Sequence, residues 1–222
     1  MNAPQALSPQ VRAALAWAHG ARFVTTASRL DQLPVHDAPE IAFVGRSNAG
    51  KSTAINTLAQ HRRLAFASRT PGRTQHINLF ALGPADAPDA WFADLPGYGY
   101  AAVEREAKQR WQQVMADYLA LRRELSGVVL LADARLGLTA LDHRLLQWIA
   151  PRLRNGSVKL LVLLTKADKL GRREAQAALE AATAALAPYA SEEADIGVAL
   201  FSALKKTGLD DVATTLHGWV QR

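Results

Sequence analysis

Short apolar runs broken by turn residues divide the chain into strands and helices. Residues 40–44, 91–95, 128–132 and 160–164 are predominantly apolar runs of strand length, each followed by a helical pattern. Trp111, Val114, Met115, Tyr118, Leu121 and Leu125 recur at the spacing of one helix face, and Leu141, Leu145, Leu146, Ile149 and Leu153 repeat it. Leu179, Ala182 and Leu186 form a sparser stripe, and Leu209, Val212, Ala213, Leu216, Trp219 and Val220 a denser one. Strands alternating with helices imply right-handed crossovers and a mostly parallel sheet covered on both faces, a three-layer α/β fold. Residues 77–82 are joined to the run at 91–95 by a turn-rich loop too short for a crossover helix, so these two should pair antiparallel at one edge. Residues 198–201 complete a six-stranded sheet. Ahead of it, Ser8-Pro9 and Gly20 bracket a helix, and residues 23–26 are a short β-prone stretch. Residues 1–38 thus read as an N-terminal extension packed on a single globular domain spanning 39–222.

Composition narrows the classes. In 222 residues, 49% are apolar and 21% charged, ordinary for a soluble protein with one large core. No run of 18 apolar residues occurs and the N-terminus lacks signal-peptide character, so a cytoplasmic location is expected. Without cysteine there is no disulfide, no thiolate metal ligand and no thiol catalysis. A net charge of +6 favours an acidic partner such as RNA.

Gly45-Arg46-Ser47-Asn48-Ala49-Gly50-Lys51-Ser52 has two glycines four residues apart ahead of Lys-Ser, between an apolar strand and a helix. Backbone NH groups of such a loop and the helix N-terminus cradle a polyphosphate. Lys51 reaches the β and γ phosphates, and the Ser52 hydroxyl is a direct Mg²⁺ ligand. Asp94-Leu95-Pro96-Gly97 follows another strand, at the end that faces the ligand crevice of a parallel sheet. Asp94 is placed to hold Mg²⁺ through water, and the Gly97 NH to meet the γ phosphate. Thr165-Lys166-Ala167-Asp168 decides the base. A carboxylate at Asp168 accepts from both the ring NH and the exocyclic amine of guanine, and would be left unpaired by adenine. The Lys166 stem covers the base plane, and NH groups of Ser202-Ala203 are available to the guanine carbonyl.

Arg69-Thr70-Pro71-Gly72-Arg73-Thr74-Gln75 has the character of a switch loop, which needs a hydroxyl that joins the Mg²⁺ shell only when the γ phosphate is present. Thr70 and Thr74 both qualify chemically. With Asn48 in the phosphate loop, Ile77-Asn78 after the switch loop and the extended string Asp94 to Gly99, the chain resembles the EngB (YihA/YsxC) family of bacterial GTPases from about residue 23 to near its end. The resemblance implies a Ras-like fold and a GTPase using GTP with Mg²⁺, and because Tyr98 after Gly97 lacks the amide by which a glutamine would position the attacking water, hydrolysis is expected to be slow. It also implies a role in assembly of the large ribosomal subunit that supports cell division and septation. It assigns Thr74 as the switch threonine and third metal ligand beside Ser52 and Asp94. It adds Gly72, Arg73, Gln75, His76 and Phe201 to the nucleotide contacts, and accepts Thr165 where asparagine is usual. Asn48 resembles the K⁺-binding asparagine of cation-dependent GTPases. Lys51, Thr74, Asn48 and Gly97 are then the catalytic set. The expected partners are GTP, the large-subunit precursor and its rRNA, with no membrane or DNA contact, and the protein is expected to act as a monomer.

Two other functions share the phosphate loop. A small-molecule phosphotransferase normally adds an arginine-bearing lid, and the strings at Asp94 and Thr165 argue against it. A septum-associated module using nucleotide only for stability lacks an amphipathic or lipidated anchor. Arg62, Arg63, Arg69 and Arg73 flank or occupy the switch loop and form the first candidate RNA-docking cluster. Arg172, Arg173, Lys205 and Lys206 form the second.

Overall fold

The computed structural model describes residues 6–65, 76–99 and 105–221. The N-terminal helix α1 (Pro9–His19) leads into strand β1 (Arg22–Ala27), then β2 (Glu40–Gly45), α2 (Lys51–Leu58), β3 (Ile77–Leu82) and β4 (Ala90–Asp94). After α3 (Arg105–Leu121) come β5 (Leu125–Asp133), α4 (Ala140–Arg154), β6 (Lys159–Thr165), α5 (Arg172–Leu186), β7 (Ile196–Leu200) and α6 (Leu209–Val220). The sheet order is β1-β3-β4-β2-β5-β6-β7, and only β3 runs against its neighbours. Among the described residues no helix is long and apolar enough to cross a membrane.

The sheet has seven strands where six were expected, and its antiparallel strand is not the edge. Residues 23–26 belong to β1, which pairs with β3 from Arg22↔Ala81 to Ala27↔Ile77 with a bulge between Phe23 and Thr25. The physical reason is the exposed edge. Unpaired, β3 would present a row of free NH and carbonyl groups, and β1 closes it. Thr26 Oγ1 adds a bond to Asn78 Oδ1 at 2.7 Å. The Arg22 guanidinium donates to the Gly83 and Pro84 carbonyls at 2.8 and 2.7 Å, and Trp17 Nε1 donates to Asp89 Oδ1 at 3.0 Å. The loop between β3 and β4 is therefore tied down by α1 and β1.

Strand alternation sorts the core into two layers. Ile41, Phe43, Val129 and Leu131 pack with Trp17 of α1, Ile55 and Leu58 of α2, and Val212, Leu216 and Trp219 of α6. Ala42, Val44, Val128 and Leu130 pack on the other face with Tyr118 of α3, Leu145 and Ile149 of α4, and Leu186 of α5. Two expected positions move. Helix α3 stops at Leu121, which is 72% exposed, and Leu125 instead opens β5 and is buried. A turn in which the Leu125 NH donates to the Arg122 carbonyl at 3.3 Å breaks the helical register between them.

At the base of β2, opposite its loop end, Glu40 is fully buried. It accepts from Tyr118 Oη at 2.6 Å, from Arg122 Nη2 at 2.6 Å and from His36 Nε2 at 3.0 Å, while the His36 ring stacks on Trp91 at 4.5 Å. Burial pushes the Glu40 carboxyl up, but the bonds from His36, Arg122 and Tyr118 outweigh it and leave the group below its ordinary 4.5. Removing the cation should strand a buried carboxylate. Arg122→Met is expected to cost about 3–5 kcal/mol in a urea titration at pH 7. A folded-state pKa below the unfolded one gives stability that is complete above the unfolded value and lost as pH falls through the folded value. The gap between wild type and Arg122→Met should therefore narrow below about pH 4.

Candidate functional site

Every strand tip that bears on chemistry points to the same end of the sheet. β2 ends at Gly45, and the chain loops through Asn48 at φ 66° and Gly50 at φ 93° before α2 begins with Lys51. Gly50 is in a conformation that a side chain would strain. The loop is propped from β6. Thr165 Oγ1 donates to the Ala49 carbonyl at 2.6 Å, with the Ala132 carbonyl farther off at 3.1 Å, and Lys166 Nζ donates to the Asn48 carbonyl at 2.9 Å. Thr165 is thus a brace for the phosphate loop.

Parallel pairing of Phe43 with Asp94 carries the end of β4 alongside the loop. There Lys51 Nζ meets Asp94 Oδ1, the two side chains being only 9% and 1% exposed. Ser52, partly buried, is the second residue of α2. Its hydroxyl and the Asp94 carboxylate are hard oxygen donors, a set suited to Mg²⁺.

Beyond β6, Asp168 Oδ1 accepts from the fully buried Ser202 Oγ at 2.6 Å. That bond is the first cause holding the Asp168 carboxyl below its ordinary range, so it stays ionised. The Ser202 NH donates to the Thr207 carbonyl at 3.1 Å, which commits Ser202 to the site through its hydroxyl rather than its amide. Ala167 NH to the Phe201 carbonyl, 3.2 Å, and Phe201 NH to the Leu164 carbonyl, 2.9 Å, lace the two base-side loops together. Asp133, at the tip of β5, receives Arg135 Nε and Nη2 at 2.9 and 2.7 Å and Lys166 Nζ at 2.9 Å. The arginine first, then burial opposing it, then the lysine set its carboxyl well below the usual carboxylate range.

The segment after β4 lies on the phosphate loop. Leu95 NH donates to the Phe43 carbonyl at 3.1 Å, and Pro96 is buried. A Cβ on Gly97 would stand 3.1 Å from Ser47 N and Cα, a contact tight enough that the phosphate loop would have to give way. Ser47 NH donates to the Tyr98 carbonyl at 2.8 Å and Tyr98 NH to the Gly45 carbonyl at 3.3 Å. Tyr98 Oη then donates to Asp142 Oδ1 at 2.5 Å. Burial, with the Asp142 charge next, pushes the phenol far above its ordinary range and keeps it a donor. Among the described residues Arg46 Nε, buried against Gly99, has no hydrogen-bond partner. A cavity of about 200 Å³ borders this side of the loop, lined by Arg46, Ser47, Asn48, Asp133, Thr139 and Asp142 among others.

The structure brings Lys51, Asp94, Gly97, Lys166, Asp168 and Ser202 to one end of the sheet. Gly72, Arg73, Thr74 and Gln75, with Arg69 and Thr70, lie outside the described residues. His76 is described just before β3, with Nδ1 2.8 Å from Ser28 Oγ. Sequence reasoning missed Asp133, the Ser202 hydroxyl, and the pairing of Tyr98 with Asp142. Asp133 carried one usable signal, a carboxylate at a parallel strand tip, the same signal that marked Asp94.

A family model described as "50S ribosome-binding GTPase" matches residues 40–166. A protein of Acidovorax ebreus (strain TPSY) named "Probable GTP-binding protein EngB" is 60% identical over 205 residues, covering 92% of this chain and 90% of the relative. One of the same name from Albidiferax ferrireducens (strain ATCC BAA-621 / DSM 15236 / T118) is 58% identical over 206 residues, covering 93% and 96%. Among solved structures, the crystal structure of a probable GTP-binding protein engB shares the fold with a TM-score of 0.63 at 20% identity, covering 82% of this chain and 98% of that one.

If Ser202 orients and ionises Asp168, its hydroxyl is part of base recognition. Ser202→Ala should weaken guanine-nucleotide binding by about 5- to 20-fold, the worth of one hydrogen bond to a charged group. Calorimetry with GDP reads this directly, and an unchanged affinity would show that Asp168 is held by other means.

Proposed function

The chain belongs to the EngB family of GTP-binding proteins, and from that premise we propose that it hydrolyses GTP slowly, as a switch acting in assembly of the large ribosomal subunit. Normal cell division and septation then depend on it indirectly. The observation that carries the reading is the buried Lys51–Asp94 pair between the phosphate loop and β4. Two opposite charges buried together leave an ammonium and a carboxylate that a phosphate chain and a cation replace without net loss. On binding, Lys51 turns to the β and γ phosphates. Asp94 and Ser52 would hold Mg²⁺, with Thr74 completing the shell in the triphosphate state. Bound there, Mg²⁺ supplies neutralising charge to the phosphate oxygens. Asp168 takes the two guanine donors, Lys166 flanks the base, and the Ala203 NH meets the carbonyl.

Tyr98 occupies the position after Gly97 where a glutamine would orient the attacking water, and its hydroxyl is engaged by Asp142. Slow intrinsic turnover is therefore expected. Asn48 offers a neutral amide oxygen of the kind a monovalent cation takes, on an exposed part of the loop. Phosphate release under single-turnover conditions should be faster in KCl than in NaCl, and equal rates would remove K⁺ from the mechanism.

RNA docking has structural support in one groove. Arg62 and Lys206, from the two separate basic clusters, together with His19 and His61 line a groove of about 650 Å³ between α1, α2 and the loop after β7, against a single acid, Asp210. Arg63 and Lys205 are exposed beside it. The groove's far wall is the loop that holds Asp168 through Ser202, which gives RNA contact a route to nucleotide state. Reversal of Arg62 and Arg63 to glutamate should abolish co-sedimentation with large-subunit particles at physiological salt while leaving GTP affinity within about twofold. Normal particle binding by that variant would move the docking face elsewhere. A wild type that ignores particles in every nucleotide state would end the assembly reading and favour a division partner.

A further inference from the structure

We propose that the hydrogen bond from Tyr98 to Asp142 is a latch that positions Gly97 for the γ phosphate, making both residues positioning residues of the GTP state, an inference that rests on the chain acting as a GTP-hydrolysing switch. The geometry has three parts. The first is that Gly97 and Tyr98 are one continuous rigid piece against the phosphate loop. Ser47 and Gly45 exchange backbone bonds with Tyr98, and Gly97 lies close against Ser47, where a Cβ would be a tight 3.1 Å away. Wherever Tyr98 is held, the Gly97 amide is held with it.

The second part is the anchor. Asp142 is 1% exposed and sits in the first turn of α4. Its Oδ2 accepts from the Thr139 NH at 2.7 Å and the Thr139 Oγ1 at 2.6 Å, which fixes the carboxylate as the cap of that helix. Oδ1 is turned to Tyr98 Oη. A helix packed on the sheet through Leu145, Leu146 and Ile149 therefore ends in a carboxylate whose one remaining oxygen grips the segment next to Gly97. Such a support sets the position of a loop amide in advance, so that its alignment with a developing charge costs little at the moment of reaction.

The third part is what lies beside it. Among the described residues Arg46 Nε, next to Gly99, makes no hydrogen bond, so on this side the segment is tied by its backbone bonds to Ser47 and Gly45 and by the Tyr98 hydroxyl. In this reading the tyrosine does no chemistry. It replaces a water-orienting glutamine with a mechanical tie to α4.

The test separates position from folding. Tyr98→Phe keeps the ring and removes only the hydroxyl. It should leave GDP affinity within about twofold, lower affinity for a non-hydrolysable GTP analogue about tenfold, and slow single-turnover hydrolysis by a similar factor, the worth of one charge-assisted hydrogen bond. Asp142→Asn can keep the tyrosine's acceptor only by turning its amide NH₂ toward the Thr139 NH, so it should shift the analogue-to-GDP ratio in the same direction. Ile149→Val trims the packing of α4 on the sheet and lowers thermal stability while keeping Tyr98, Asp142 and Thr139, and should leave that ratio unchanged. A wild-type-like ratio and rate in Tyr98→Phe, or an equal shift in Ile149→Val, would overturn the latch while leaving the GTPase reading intact. A wild type that fails to hydrolyse GTP, with Tyr98→Phe still changing the ratio, would overturn the hydrolysis reading and keep the latch as a sensor of the γ phosphate.

Discussion

A lysine and an aspartate buried against each other at the end of a parallel sheet organise this molecule. Lys51 begins α2 and Asp94 ends β4, and both lie almost out of solvent. Burying two charges costs several kcal/mol each after relaxation, and mutual attraction only partly repays it. A fold selected for stability alone would fill the place with apolar side chains. The pair is intelligible as a charged site held ready in a GTP-binding protein.

Holding that site ready requires the strand tips to keep register, and the sheet supplies it. Parallel pairing aligns Phe43 with Asp94, Gly45 with Leu131, and Asp133 with Thr165. Loops leaving these tips then brace one another through Thr165, Lys166 and Asp133. At the opposite end of β2, the Glu40 cluster fastens the same strand to α3 through Tyr118 and Arg122. β2 is thus pinned at its base by a buried ionic network and carries the phosphate loop at its tip, a division that leaves the mobile chemistry to loops on a fixed frame.

The same frame explains why the elements around the site act as levers. The base loops of β6 and β7 are joined by the Ser202–Asp168 bond, and the loop after Ser202 is also a wall of the basic groove. On the other side, α4 reaches the Gly97 segment through Asp142. The Asp168 loop and the Gly97 segment are therefore each connected to a different outer surface by a single short bond.

By itself the sequence determined the layers, six of the strands and the loops that carry Lys51, Asp94 and Asp168 to one end of the sheet, because strand and helix periodicity, turn residues and motif spacing are properties of neighbouring positions. The seventh strand was legible only as a β-prone stretch and not as a member of the sheet. Residues 23–26 carry no alternation strong enough to mark a sheet member, and what recruits them is the open edge of β3, more than 50 residues later in the chain. Leu125 fitted a helix face by spacing and became a strand residue because a turn at Arg122 reset the register. Tertiary structure alone decided that Tyr98 finds Asp142, Lys166 finds Asp133, Ser202 finds Asp168, and Arg62 shares a groove with Lys206. Each of these depends on which polar groups are buried together, and burial is set by how the layers stack rather than by any pattern that a local stretch of chain can carry.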